Sequence, residues 1–153
     1  MMLQTLLARR FQLALHREQK NISVYALEIS SGGAKLQESV VGASVEPGCT
    51  RSYAQSPGAS FAAVCHRMTS ASLAQAVQTM APNYFDRPMV DMTGLKGVYD
   101  LTLEWISFSE STNGDTGPTI FDAIQRLGLK LEPRRHPMDI FVIDHCEKEP
   151  TEN

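Results

Sequence analysis

A chain of 153 residues with 42% hydrophobic and 20% charged side chains has the make-up of an ordinary folded domain, which excludes a disordered polymer and leaves no need for metal or disulfide staples. Its formal charge is −3, and Arg9-Arg10 and Arg134-Arg135 are the only adjacent basic pairs, so no cationic stripe tracks a phosphate backbone and nucleic acid is not an expected partner. No apolar run approaches the roughly 18 residues of a membrane span, and Arg9 and Arg10 sit inside the apolar N-terminal stretch rather than ahead of it, so the expectation is a soluble chain without an export signal.

Leu3, Leu6 and Leu7 share one face of a short helix ending near Arg9-Arg10, after which Phe11, Leu13 and Leu15 alternate with their neighbours as in a strand. Residues 18–21 read as a polar turn, and a β-rich run over 22–29 is stopped by Ser31-Gly32-Gly33, so that 1–33 is expected to be a helix-strand-strand half-module. Residues 34–59 lose periodicity and gather Gly42, Pro47, Gly48, Pro57 and Gly58, the composition of an irregular loop or linker, and a domain boundary is placed there. Cys49, Cys65 and Cys146 are an odd set without C-x-x-C spacing, which leaves a Cys49–Cys65 bridge and free thiols both open.

Residues 60–68 read as a strand, and Thr69 or Ser70 caps a helix in which Leu73, Val77 and Met80 share a face until Pro82. Residues 89–92 form a short strand and 93–97 a turn, after which Tyr99, Leu101, Leu103 and Trp105 alternate with Asp100, Thr102 and Glu104. A polar loop over 107–117 precedes a helix from Pro118, striped by Ile120, Phe121, Ile124 and Leu127 and ended by Gly128. Leu129 and Leu131 begin a strand, 133–137 turn the chain, 138–145 return as its most hydrophobic strand, and 148–153 are a solvated tail. The expected fold is α+β, with small mixed or antiparallel sheets packed with three helices. Its module over 60–147 runs strand-helix-strand-strand-helix-strand-strand and ends with the helix-strand-strand grammar of the opening, as in a duplicated unit.

Candidate site residues are few. In Asp91-x-Thr93-Gly94-Leu95-x-Gly97 the Asp and Thr side chains are expected to bond their own turn, and Asp100 and Glu104 to lie on a solvated strand face. Asp144, His145 and Cys146 are neighbours in a strand and point to alternate faces, so they form no triad among themselves, and His66 would meet His145 only if their strands paired. A small hydrolase of esterase, lactonase or phosphatase type would take His66 or His145 as general base and Asp91, Asp100 or Asp144 as orienting carboxylate. Trp105 and Tyr99 are assigned to the core, and Phe108 joins them as a ring able to stack on a ligand. No phosphate loop, H-E-x-x-H or EF-hand spacing occurs, so no cofactor or metal is expected. The alternative chemistry is binding: residues 138–145, with Met138, Ile140 and Val142 on one face, would recognise a protein or peptide by edge pairing, or form a homodimer, if that strand lies at a sheet edge.

Pro88-Met-Val-Asp-Met-Thr-Gly-Leu-Lys-Gly-Val-Tyr-Asp-Leu-Thr-Leu-Glu-Trp105, Gly128-Leu-Lys-Leu-Glu-Pro133 and Val142-Ile-Asp-His145 carry a resemblance. So do Leu3-Gln-Thr-Leu-Leu-Ala-Arg-Arg-Phe11, His16-Arg-Glu18 and Val24-Tyr-Ala26. Through them the chain resembles, nearly end to end, a large soil-bacterial family of uncharacterised exported proteins. The resemblance implies an extracytoplasmic, periplasmic setting and a further region ahead of Leu3, so the chain is expected to be a fragment or an internal start. It departs from the family pattern at Met92 and Val98, where a basic residue is common, and over 82–87, which is longer than usual. More distantly, the element order over 60–147 is similar to the short N-terminal domain of secretins and TonB-dependent receptors, which sandwiches two helices between small sheets and docks proteins or peptides. That resemblance implies a non-catalytic binding module.

Overall fold

The computed structural model describes residues 2–40 and 45–150, so the expectations for Met1, for Gly42 of the loop and for the end of the tail at 151–153 lie outside the described residues. In chain order the elements are α1 (Met2–Arg10), β1 (Ala14–Ile29), β2 (Gln37–Glu38), β3 (Gly48–Ser52), β4 (Phe61–Met68), α2 (Ser70–Met80), a 3-10 turn at Pro82–Tyr84, β5 (Met89–Asp91), β6 (Tyr99–Trp105), α3 (Phe108–Thr112), α4 (Ile120–Arg126) and β7 (Leu129–His145). They build a three-stranded sheet of order β5-β1-β7 and a four-stranded sheet of order β2-β6-β4-β3. The fold class is therefore α+β, as the sequence pattern implies.

Local chemistry accounts for most elements. Thr69 caps α2 in a reciprocal box with Ser72, and Thr119 caps α4 in the same way with Asp122, so each helix begins where a side-chain oxygen can take an orphan amide. β6 alternates as expected, with Tyr99, Leu101, Leu103 and Trp105 buried and Asp100, Thr102 and Glu104 turned outward. The chain forms two compact units. The larger, Ser23–Arg134, has one core, to which the three-stranded sheet gives Leu27, Met89 and Leu129, the four-stranded sheet Ala63, Cys65, Leu101, Leu103 and Trp105, and α2 and α4 Leu73, Val77, Ile120 and Ile124. The smaller unit comprises Met1–Ile22 and Arg135–Asn153. Within it the two chain segments run antiparallel, since Phe11 accepts from the Glu147 amide at 2.7 Å, His16 meets Asp144, and the Arg135 guanidinium donates to the Asn21 carbonyl.

Four local expectations need correction. The turns at 18–21 and 133–137 are not made: β1 and β7 run through them as strands of 16 and 17 residues. Residues 14–21 are exposed on both faces, so the polar run Arg17-Glu-Gln-Lys-Asn21 meets no core that would forbid it in a strand. Pro133 and Pro137 are tolerated because β7 is a terminal strand, with one side on which a missing donor costs no ladder hydrogen bond. Residues 34–59 are not wholly irregular, since β2 and β3 flank the four-stranded sheet by backbone pairing, which needs no apolar period. The loop over 107–117 contains a fourth helix, α3, started by a Ser107–Glu110 capping box. The helix-strand-strand grammar is thereby reduced at both ends of the chain to a helix followed by one long strand.

Candidate functional site at the sheet edges and the His66 pocket

Asp91 closes a turn and makes no approach to a histidine. Its Oδ1 accepts from the Thr93 amide at 3.0 Å and the Thr93 hydroxyl at 2.8 Å, Oδ2 accepts from the Ser70 hydroxyl, and the Leu95 amide donates to Thr93 Oγ1. Partial burial works to raise the Asp91 pKa, but the bonds from Ser70 and Thr93, with Lys96 nearby, outweigh it and hold the carboxyl below its ordinary range. Gly94 supplies the left-handed φ of +70° that the turn needs.

Asp100 and His66 do come together. The His66 Nδ1 to Asp100 Oδ1 distance is 3.7 Å, in a shallow pocket of about 220 Å³ that also presents Gln37 and Thr102. That separation is longer than a hydrogen bond, and Asp100 Oδ1 already accepts from Ser39 Oγ at 2.7 Å and from the Arg67 amide at 2.9 Å. The Ser39 hydroxyl first, then the Arg67 amide, lower the Asp100 pKa. Glu104, on the same strand face, is instead bound by the Ser56 hydroxyl and by the amides of Gln55 and Ser56, so Asp100 and Glu104 do not act as a carboxylate pair.

His145 is not joined to His66 by strand pairing: β4 and β7 belong to different sheets. His145 Nε2 lies 3.1 Å from Glu147, Cys146 is an exposed free thiol, and Asp144 pairs across the ribbon with His16, whose Nδ1 is 2.9 Å from both carboxylate oxygens. His16 was not read as a site residue because its partner Asp144 lies 128 positions away, beyond any local pattern. Cys49 and Cys65, left open above, form a disulfide between directly opposed residues of β3 and β4. Among the described residues no group of three or more His, Cys, Asp or Glu side chains gathers to hold a metal ion, and no helix is long and apolar enough to cross a membrane.

β7 is the outer strand of its sheet. Met138, Ile140 and Val142 are half-buried, whereas Phe141 and Ile143 on the opposite face are 60% and 64% exposed. The available apolar surface is therefore on the face that the sequence reading passed over, and strict alternation through Asp139, Phe141 and Ile143 was the signal for it. The Arg17 guanidinium lies 5.2 Å over the Phe141 ring, beside an open hollow of about 620 Å³ that includes Leu15, His16 and Asp144.

Fold and site together define a small α+β domain with paired side chains at its surface and an open strand edge. The chain belongs to the family of proteins of unknown function DUF3738, whose family model matches residues 1–146. No curated protein and no solved structure matches it.

Proposed function

We propose that the protein is a non-catalytic interaction module that binds a protein or peptide by adding a strand to the free edge of β7, over residues 138–145. The observation that carries this reading is the position of β7 at the end of its sheet, with Phe141 and Ile143 exposed beside the open backbone. A Cys49–Cys65 bridge suits an extracytoplasmic setting. The same edge pairs with itself when no partner is present. Light scattering on a size-exclusion column is expected to show concentration-dependent association of the wild type, and a monomer at every concentration for Phe141→Lys/Ile143→Lys, whose charges blunt the edge. A wild type that stays strictly monomeric overturns the exposed-edge reading.

A second reading has one observation in its favour, the proximity of His66 to Asp100 in a pocket. It is a small hydrolase with His66 as general base and Asp100 as orienting carboxylate. In an esterase, lactonase and phosphatase screen this reading expects turnover that falls roughly 100-fold or more in His66→Ala and is unchanged in His145→Ala. The interaction module expects no turnover from any of the three proteins.

A further inference from the structure

β3 ends the four-stranded sheet and gives that sheet an open edge of its own. Its register sets Cys49 opposite Cys65 and Arg51 opposite Ala63, and the 4.0 Å Cα separation of the cysteines belongs to a non-hydrogen-bonded antiparallel pair, not to the wider hydrogen-bonded kind. The two kinds alternate along a ladder, so Arg51 is also in a non-hydrogen-bonded pair. The amide and carbonyl groups of Cys49 and Arg51 accordingly face outward, towards the open edge. The same register places Arg51 on the sheet face that carries Phe61, Ala63 and Trp105.

A pocket of about 130 Å³ opens on that face. Phe61 and Trp105 stack at 5.9 Å on one side, Tyr84 and Phe108 meet edge to face at 5.3 Å on another, and Arg51 stands at the rim. Its volume suits one branched aliphatic side chain or a single ring. The polar groups of the wall are engaged: the Tyr84 hydroxyl donates to the carbonyls of Ile106 and Ser107, and the Ser107 hydroxyl and amide are committed to the cap of α3. Arg51 and the neutral amide of Asn83 are the exceptions, both exposed and without a side-chain hydrogen bond or ion pair among the described residues, and Arg51 alone of the two carries a charge.

We propose that the β3 edge and this aromatic pocket form a docking groove for an extended peptide that carries an apolar side chain and, two residues away, a carboxylate. A strand laid along β3 bonds through its backbone to Cys49 and Arg51, and alternate residues fall on the pocket's face, so one fills the pocket while the next on that face meets the guanidinium. β3 has only five residues, a short ladder, so the pocket and the charge supply selectivity that the backbone bonds lack. The groove is distinct from the β7 edge and predicts a preference for acidic over basic peptides.

Trp105 is the single tryptophan of the chain, so its emission reports the pocket directly. The probe is a capped threonine-rich heptapeptide with phenylalanine and, two residues on, aspartate; a twin carries lysine in place of aspartate. The aspartate probe is expected to change Trp105 emission saturably, the lysine twin to bind roughly tenfold more weakly, and Arg51→Glu to reverse that order. Methylating the probe's backbone nitrogens on the side facing β3 is expected to abolish the change. Phe141→Lys/Ile143→Lys is expected to leave it intact. The groove is overturned by the absence of a saturable change up to about 1 mM probe, by equal binding of the two twins, by unimpaired binding of the methylated probe, or by loss of the signal in the β7 variant.

Discussion

Gly128→Ala is expected to lower the free energy of unfolding by about 3 kcal/mol or more, seen in thermal melts as a fall of roughly 6–12 °C for a chain of this size. Gly128 follows α4 with a φ of +72°, the left-handed conformation that lets the chain leave the helix and enter β7. A Cβ there collides with the Gly33 carbonyl oxygen and comes within 2.8 Å of the Lys35 nitrogen and 3.0 Å of the Ala34 Cα. All three are backbone atoms, so no side chain can swing aside. The segment is also fastened in place, because the Ser30 amide and hydroxyl both donate to the Gly128 carbonyl and the Lys35 amide donates to the Leu127 carbonyl. Gly94→Ala is the control: its φ of +70° is equally left-handed, yet nothing lies within 4 Å of an added Cβ, so it is expected to cost about 1 kcal/mol of strain alone. Equal losses for the two variants would show that the packing of 33–35 against Gly128 is not made.

The contrast between these glycines shows which parts of the fold were legible. Gly94 could be read as a turn residue and Gly128 as the end of a helix, because both chemistries are local. Only the three-dimensional approach of residue 33 to residue 128 separates the tight site from the loose one. The same division runs through the rest of the molecule. The alternation of β6, the capped α2 and the Asp91 turn were readable because each is set within a few residues. The unbroken β1 and β7 were not, since a strand solvated on both faces shows no period and a proline on an edge strand mimics a break. Candidate site residues depended still more on register. His66 reaches Asp100 through the pairing of β4 with β6, beside an irregularity between Cys65 and Met68 at which Arg67 takes a φ of 51°. Asp144 finds His16 from the far end of the chain, and the aromatic pocket gathers Phe61, Tyr84, Trp105 and Phe108 around an arginine of an edge strand that no hydrophobic pattern announces.

Asp91 tests the boundary between structural and chemical roles most directly. Ser70, only 2% exposed at the start of α2, donates its hydroxyl to Asp91, and the Thr93 amide donates to the same carboxylate. An asparagine at this position keeps one oxygen for Thr93 and turns its NH2 to Ser70, whose hydroxyl oxygen accepts from it while its own buried O–H loses the carboxylate, so Asp91→Asn is expected to cost about 1–3 kcal/mol, measured by urea unfolding at neutral pH. Adding Ser70→Ala removes the stranded O–H, and the double variant is expected to lose less than the two single losses together. The pH dependence has a definite sign. The carboxyl titrates lower in the folded chain than in the unfolded one, where Asp sits near about 3.9, so the charged form stabilises the fold fully above that value and ceases to do so as pH falls through the folded pKa. The stability gap between wild type and Asp91→Asn is thus expected to be flat through neutral pH and to narrow only below about pH 4. A gap that is unchanged on acidification would mean that the ionised carboxylate is not what holds Ser70 and Thr93. In either class of function any effect of Asp91→Asn on binding or turnover should track the unfolded fraction, because the carboxylate is fully committed to its own turn and to the first residue of α2.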